Sequence, residues 1–121
     1  DCFVYPGAIG LSLLHAFAYG LPVVTNDIIN EHGPEIAALK DEVNGATFTR
    51  NNEIDLSNKI QNILDNKDYY GKNARETIEN DYSYSKMILR VKKCIVSSSK
   101  VNKWKEVSYD KTTSININSN V

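Results

Sequence analysis

The first fifty residues alternate between short apolar runs and one longer apolar segment of helical length. Residues 2–5, Cys-Phe-Val-Tyr, predict a short buried strand, and the pair Pro6-Gly7 predicts the turn that closes it. Residues 10–19 are apolar on nearly every side, which indicates a helix buried on most of its surface and ended by Gly20. Residues 22–25, Pro-Val-Val-Thr, predict the next strand. This order and spacing predict a βαβ unit with parallel strands.

The pattern after residue 25 predicts one more strand and then several amphipathic helices. A polar loop over residues 26–33 leads into a short helix that begins at Pro34, and Asn44-Gly45 precedes a strand over residues 46–49. Three apolar stripes at helical spacing follow, each with a polar opposite face: Leu56, Ile60, Ile63 and Leu64; Tyr70, Ala74 and Ile78; Tyr84, Met87, Ile88, Val91 and Ile95. The predicted fold class is therefore α/β, a partial Rossmann-like parallel sheet with flanking helices.

The end of the chain has a different composition. We expect the serines at residues 97–99 to end the last helix, and residues 97–121, rich in Asn, Ser, Lys and Thr, to form a polar, disordered tail. The chain also begins with Asp1 and enters an apolar strand almost at once, from which we expect a truncation at the N-terminus.

Composition and charge exclude several classes of protein. The 121 residues are enough for one domain, and 14 Lys and Arg nearly balance 15 Asp and Glu, for a net charge of -1. The cations of the C-terminal half stand beside acidic residues, so we expect a solvated surface and no nucleic-acid partner. No apolar run approaches the roughly 20 residues of a transmembrane helix. Cys2 and Cys94 are expected to be reduced, buried thiols of a cytoplasmic protein.

Candidate chemistry lies where the predicted strands end. Ligands of parallel α/β sheets bind outside the carboxyl ends of the strands, which here are followed by residues 6–9 and 26–33. Gly7 and Gly10 allow an anion to approach the helix that begins at Gly10, although the pattern is neither G-x-G-x-x-G nor a P-loop. Ser12, His15 and Tyr19 form one polar stripe on that helix. Two interpretations stay open for it: interior groups bonded within the fold, or groups facing the hydroxyls of a ligand.

A specific family resemblance adds to this pattern. Residues 9–27, then Gly33-Pro-Glu-Ile36, then Asn44-Gly45 resemble the C-terminal domain of glycosyltransferase family 4 enzymes, which have the two-domain GT-B fold. The shared features are a glycine-led helix, Ala-x-Ala-x-Gly-x-Pro-Val-Val before a strand, Pro-Glu opening a short helix, and Asn-Gly before another strand. The resemblance covers residues 1–96, as a partial nucleotide-sugar-binding domain. It implies transfer of a sugar from a nucleotide-sugar with retention of configuration and no metal ion or other cofactor.

The resemblance carries site residues across only in part. The family's two glutamates, eight residues apart, fall on Gly7 and His15, so both carboxylates are missing and His15 is left to contact the ribose. The backbone amides of Gly10, Leu11 and Ser12 match the family's diphosphate-facing turn. Glu35 matches the family's Pro-Glu, with a role as a first-turn acid equally open. The family's basic pair and acceptor-binding domain would precede Asp1, so we expect this piece to be inactive alone.

Other functions stay open beside the transferase. One alternative is a non-catalytic nucleotide- or protein-binding module of the same fold, and another is a GT-B-fold nucleotide-sugar epimerase. For a transferase, the implied partners are a nucleotide-sugar donor and a glycan or lipid-linked acceptor, in polysaccharide biosynthesis. The resemblance implies a cytoplasmic protein, or one held peripherally at a membrane. Asp27 and His32, in the loop after the second strand, are candidates for ligand contacts or for structural caps.

Overall fold

The computed structural model describes residues 1–101, in which a small parallel sheet is flanked by helices. The strands are β1 (Phe3–Tyr5), β2 (Val23–Asn26) and β3 (Gly45–Phe48), and two short 3-10 helices span Ile29–Glu31 and Pro34–Ala38. The α-helices are α1 (Ser12–Ala18), α2 (Glu53–Asp65), α3 (Lys67–Asp81) and α4 (Tyr84–Val101). The chain divides into two compact units, Asp1–Asp81, which holds the sheet, and Tyr82–Val121, in which α4 is the described element.

The sheet has the order β1-β2-β3 and is parallel throughout. Val24 pairs with Val4 on one side and with Ala46 on the other, so β2 is the central strand. All four residues of β2 are buried, as expected of a strand covered on both faces. Val24 belongs to a cluster that joins the sheet to α2 and α3, formed by Val24, Ala46, Phe48, Ile63 and Tyr70. The predicted α/β fold class is confirmed.

α1 and α3 approach each other closely at two glycines. Gly20 has a φ of 71° and ends α1 as predicted, because glycine adopts the left-handed region without a Cβ penalty. A Cβ added to Gly71 on α3 would lie 2.9 Å from the carbonyl oxygen of Gly20. Residue 71 must therefore lack a side chain for the two helices to pack at this distance.

The short helix predicted from Pro34 is present as the 3-10 helix Pro34–Ala38. Two local predictions are wrong. α1 is shorter than expected and buried on one side only, since Leu13, Ala16 and Phe17 are buried while Tyr19 is 79% exposed. The serines at residues 97–99 do not end the last helix, because α4 continues to Val101. The remainder of the predicted tail, residues 102–121, lies outside the described residues.

The thiols and the helices bear on two further expectations. Cys2 and Cys94 are both free; burial raises the pKa of the Cys2 thiol, whereas Cys94 is exposed, contrary to the expected buried state. No helix within residues 1–101 combines the length and the apolar character needed to cross a bilayer.

Candidate functional site

Three loops meet at the carboxyl edge of the sheet, because parallel strands all end on the same side. They are residues 6–11 after β1, residues 27–33 after β2 and residues 49–52 after β3. Ligand sites of open parallel sheets lie at this edge. The candidate sites predicted from the sequence lie in the first two loops and omit the third, although the strand predicted at residues 46–49 implies a loop there as well.

Two buried side chains at the end of β2 hold the loop after β1. Thr25 donates from Oγ1 to the carbonyl oxygen of Tyr5 at 2.7 Å. Asn26 donates from Nδ2 to the carbonyl oxygens of Pro6 at 2.8 Å and Gly7 at 3.1 Å. Both side chains are fully buried, so the donor atoms are shielded from water, whereas the residues that carry the acceptor carbonyls are exposed. The start of the loop is therefore positioned by the neighbouring strand.

His32 holds the same loop from a second direction. Its Nδ1 accepts from the backbone N–H of Ile9 at 3.1 Å, and its Nε2 lies 2.9 Å from the carbonyl oxygen of Asn26. An amide N–H only donates and a carbonyl only accepts, so the ring is neutral with its proton on Nε2. The next residue, Gly33, donates from its N–H to the carbonyl oxygen of Ile9 at 2.8 Å. His32 was a candidate for a ligand contact or for a structural cap, and its two contacts show the structural role.

The turn that follows leaves several backbone donors without partners. Within residues 1–101, the amides of Gly10, Leu11 and Ser12 have no hydrogen-bond acceptor, and no side chain caps the helix start at Leu11. The first bond of the turn runs from the N–H of Leu13 to the carbonyl oxygen of Gly10 at 3.0 Å. Gly10 and Ser12 are partly exposed and Leu11 is 56% exposed, so this turn is accessible from solvent.

Glu35 is the acidic side chain next to this turn. Its Oε2 lies 3.8 Å from the point that a Cβ on Gly10 would occupy. A Cβ on Gly33 would lie 2.6 Å from the same oxygen and 3.3 Å from the Cα of Gly10, so the two loops pass each other where neither residue has a side chain. The structure thus brings together Gly10, Leu11, Ser12 and Glu35.

The predicted polar stripe on α1 lies at the surface. His15 is exposed in the last turn of α1 and Tyr19 is almost fully exposed, whereas Ser12 is partly buried. The interpretation of these residues as satisfied interior groups is therefore wrong. Gly7, the other position at which the family 4 resemblance predicts a glutamate, is exposed, and its carbonyl oxygen accepts from Asn26.

A cavity of about 510 Å³ opens between the first and third loops. Its lining residues are Pro6, Gly7, Phe48, Arg50, Asn51, Asn52, Glu53 and Leu56. Arg50, the cation in this set, forms an ion pair with Glu31, and its backbone N–H donates to Asp27 Oδ1 at 3.1 Å. Asp27 is thus a cap for the third loop, the structural one of its two candidate roles. Arg50 was not among the predicted site residues, although its position directly after the predicted strand at residues 46–49 could have indicated it.

No group of three or more His, Cys, Asp or Glu side chains within residues 1–101 is arranged to hold a metal ion. Metal-independent transfer stays a prediction.

A family model described as glycosyl transferases group 1 matches residues 1–83, from β1 to just beyond α3. The chain belongs to this family. No curated protein matches the chain, and no solved structure does. Membership of this family implies a sugar donor and an acceptor as substrates, and the match includes all three loops at the carboxyl edge. The match ends at residue 83, so α4 of this glycosyl transferase lies entirely outside it.

Proposed function

We propose that this glycosyl transferase takes a sugar from a nucleotide-sugar and passes it to a glycan or lipid-linked acceptor, with retention of configuration and without a metal ion. The observation that carries the proposal is the turn before α1, where the amides of Gly10, Leu11 and Ser12 lack acceptors within the described chain. Several unpaired amide hydrogens at the carboxyl edge of a parallel sheet suit a diphosphate. The family 4 resemblance of residues 1–96 supports the same donor class.

The residues around the turn have complementary roles in this proposal. The diphosphate accepts from the three amides, and the exposed His15 donates to a ribose hydroxyl. The cavity beside Gly7 accommodates part of the donor. Glu35, whose carboxylate lies next to the turn, accepts hydrogen bonds from hydroxyl groups of the donor sugar.

The energetics indicate that further groups are needed for turnover. A helix start supplies about 1 kcal/mol at an exposed site, and α1 has only seven residues. Enzymic acceleration requires about 8 kcal/mol or more. We therefore expect that cationic groups outside residues 1–121 neutralise the leaving diphosphate and that a second domain binds the acceptor. The chain by itself is expected to bind the donor without transferring the sugar.

The test is a binding measurement on Gly10→Ala. An alanine Cβ at this position has its nearest contact at 3.8 Å, so the fold accepts it, but the methyl group stands where the diphosphate approaches. We expect calorimetry with a panel of nucleoside diphosphates to find at least one ligand, and the variant to bind it about tenfold more weakly, or about 1.4 kcal/mol. An unchanged melting temperature is the control. If no nucleoside diphosphate or inorganic diphosphate binds the unmodified chain, the donor assignment is wrong.

One observation favours a second candidate, a non-catalytic binding module of the same fold. Neither Gly7 nor His15 supplies the carboxylate that the family pattern has at its position. The two candidates differ in the activity of a protein that includes the acceptor-binding domain. Hydrolysis of a nucleotide-sugar, or transfer from it, supports the transferase. Tight nucleotide binding with no turnover over a panel of donors supports the module.

A further inference from the structure

Ile9 is held from both sides by two consecutive residues of the loop after β2. Its backbone N–H donates to His32 Nδ1 at 3.1 Å, and its carbonyl oxygen accepts from the N–H of Gly33 at 2.8 Å. Ile9 is 1% exposed, so water does not replace a partner that its N–H loses. The next residue is Gly10, the first of the three whose amides lack acceptors within residues 1–101. The hydrogen bond to His32 therefore fixes the backbone directly before these amides.

The two contacts of the His32 ring require a single protonation state. Nδ1 accepts from an N–H and so carries no proton, whereas Nε2 donates its proton to the carbonyl oxygen of Asn26 at 2.9 Å. A second proton can bind only at Nδ1. There it would face the N–H of Ile9, and two donors 3.1 Å apart form no hydrogen bond. Because Nε2 keeps its proton in either state, protonation of the ring removes the acceptor of Ile9 and leaves the bond to Asn26.

The charged groups around His32 do not compensate for this loss. β2 and the loop after β1 contain no ionisable side chain. On the loop after β2, Asp27 accepts from the backbone N–H of Arg50, and Glu31 forms an ion pair with the Arg50 side chain. Glu35, on the 3-10 helix that follows, lies next to the turn before α1. Within residues 1–101, no carboxylate pairs with either ring nitrogen of His32, so no ion pair replaces the lost hydrogen bond.

We infer that His32 is a pH-sensitive switch, which holds the loop after β1 at neutral pH and releases the N–H of Ile9 on acidification. Imidazole is the side chain that ordinarily gains a proton between about pH 8 and pH 5. His32 is partly exposed, so Nδ1 takes this proton from solvent. The bond from Gly33 and the buried side chain of Ile9 remain, so protonation loosens the backbone before Gly10 without unfolding the sheet. The loosening needs no ligand, whereas its effect on diphosphate binding rests on the proposed function.

The first test is amide hydrogen exchange in the ligand-free 121-residue chain, followed by NMR and expressed as protection factors, which remove the intrinsic pH dependence of exchange. We expect the protection factor of the Ile9 amide to fall about tenfold from about pH 7.5 to about pH 5.5. The Lys40 amide is the matched control, because its acceptor, Asn44 Oδ1 at 2.8 Å, does not titrate. Its protection factor should change less than about twofold. Constant protection of Ile9 while the His32 ring gains its proton, or an equal fall at Lys40, would overturn the inference.

The variant His32→Gln tests the ring itself, since its amide offers an acceptor and a donor that do not titrate in this range. We expect its Ile9 amide to keep the protection of neutral pH under the acidic condition. Persistence of the fall at Ile9 in this variant would contradict the switch. If the variant does not fold, the comparison of Ile9 with Lys40 in the unmodified chain still decides.

Calorimetry with inorganic diphosphate extends the test to the candidate site. Over the same pH interval, the affinity of the unmodified chain should fall about tenfold more than that of His32→Gln. His15 and the protons of the diphosphate are common to both titrations, so their contributions cancel. If both proteins bind diphosphate with the same pH dependence, the inference is wrong. If neither binds it, the proposed function is wrong, and the exchange of the Ile9 amide decides the switch independently.

Discussion

Asn26 and Asn44 are both fully buried, and each side chain donates two hydrogen bonds from Nδ2 and accepts one at Oδ1. They hold together different regions of the molecule. Asn26 ends β2 at the carboxyl edge, and its Nδ2 donates to the carbonyl oxygens of Pro6 and Gly7 at 2.8 and 3.1 Å. Its Oδ1 accepts from the N–H of Ile28 at 2.8 Å. This one side chain thus joins the loop after β1 to the loop after β2.

Asn44 lies at the opposite edge, directly before β3. Its Nδ2 donates to the carbonyl oxygen of Ala38 at 2.9 Å and to Thr77 Oγ1 at 3.0 Å, and its Oδ1 accepts from the N–H of Lys40 at 2.8 Å. It joins the turn before β3 to α3, and the polar groups that it contacts are satisfied within the fold.

The difference lies in what each asparagine leaves unpaired. Around Asn44 the donors and acceptors pair with one another, which is the arrangement that favours stability. Asn26 satisfies carbonyl oxygens of the loop, while the amide hydrogens of residues 10–12 stay without acceptors in the described chain. The unsatisfied donors at this edge are therefore available to the oxygen atoms of an anionic ligand. The same type of side chain therefore stabilises the fold at Asn44 and positions the loops of the candidate site at Asn26.

The largest expected effect comes from removing each asparagine in turn. Asn26→Ala and Asn44→Ala each leave buried backbone groups without partners, and each is expected to lower the free energy of unfolding by about 3 kcal/mol. Urea unfolding measures both values. The comparison is sharpened by diphosphate affinity under conditions where both variants are folded: Asn26→Ala should bind at least tenfold more weakly, and Asn44→Ala should bind as the unmodified chain does. Equal affinities for the two variants would break the distinction.

The sequence predicted the frame of the fold because that frame depends on local patterns. The strands predicted at residues 2–5, 22–25 and 46–49 lie within one residue of β1, β2 and β3 at each end. Gly20 marked the end of α1 through its backbone freedom. The exposure of one side of α1 was not predicted, because an apolar segment does not show which of its faces the surrounding chain covers.

The candidate site was predictable only where it depends on the backbone. Gly10 and the preceding strand were enough to predict the turn with unpaired amides. The roles of Thr25, Asn26 and His32 were not predictable, because their partners lie about twenty residues away and depend on the register of parallel strands. Glu35 was found through the Pro-Glu pattern, but its position beside Gly10 follows from the packing of two loops.

A smaller effect is expected at His32, which supports the same loop as Asn26 from a partly buried position. His32→Leu leaves the N–H of Ile9 and the carbonyl oxygen of Asn26 unpaired, and should lower the free energy of unfolding by about 1–2 kcal/mol and the diphosphate affinity about tenfold. His32→Gln is the matched control, because its amide carries an acceptor and a donor at nearly the spacing of the two ring nitrogens. Calorimetry should show near-normal affinity for His32→Gln. If His32→Gln and His32→Leu weaken diphosphate binding equally, His32 does not act through these two hydrogen bonds.

The smallest effect is expected at Glu42, near Asn44, because both of its carboxylate oxygens already accept hydrogen bonds from neighbouring side chains. Glu42 accepts from Lys59 Nζ at 2.6 Å and from the Tyr70 hydroxyl at 3.1 Å. The hydrogen bond from Lys59 is the main cause that holds the pKa of Glu42 below its ordinary value of 4.5. The side chain is 46% exposed, so solvent screens the pair and its contribution should stay below about 1 kcal/mol.

The sign of the pH dependence follows from the lowered pKa of Glu42. The unfolded chain takes up the proton first, so the contribution is complete above pH 4.5 and is lost as the pH falls through the lower pKa of the folded state. Glu42→Gln should therefore reduce the loss of stability between neutral pH and pH values below 4.5 in urea titrations, and should leave diphosphate affinity unchanged. Retention of the full acid dependence in Glu42→Gln would assign it to other carboxylates. Glu42 has no hydrogen bond to the three loops at the carboxyl edge. A change in diphosphate affinity would therefore show that the region around Asn44 and these loops are coupled.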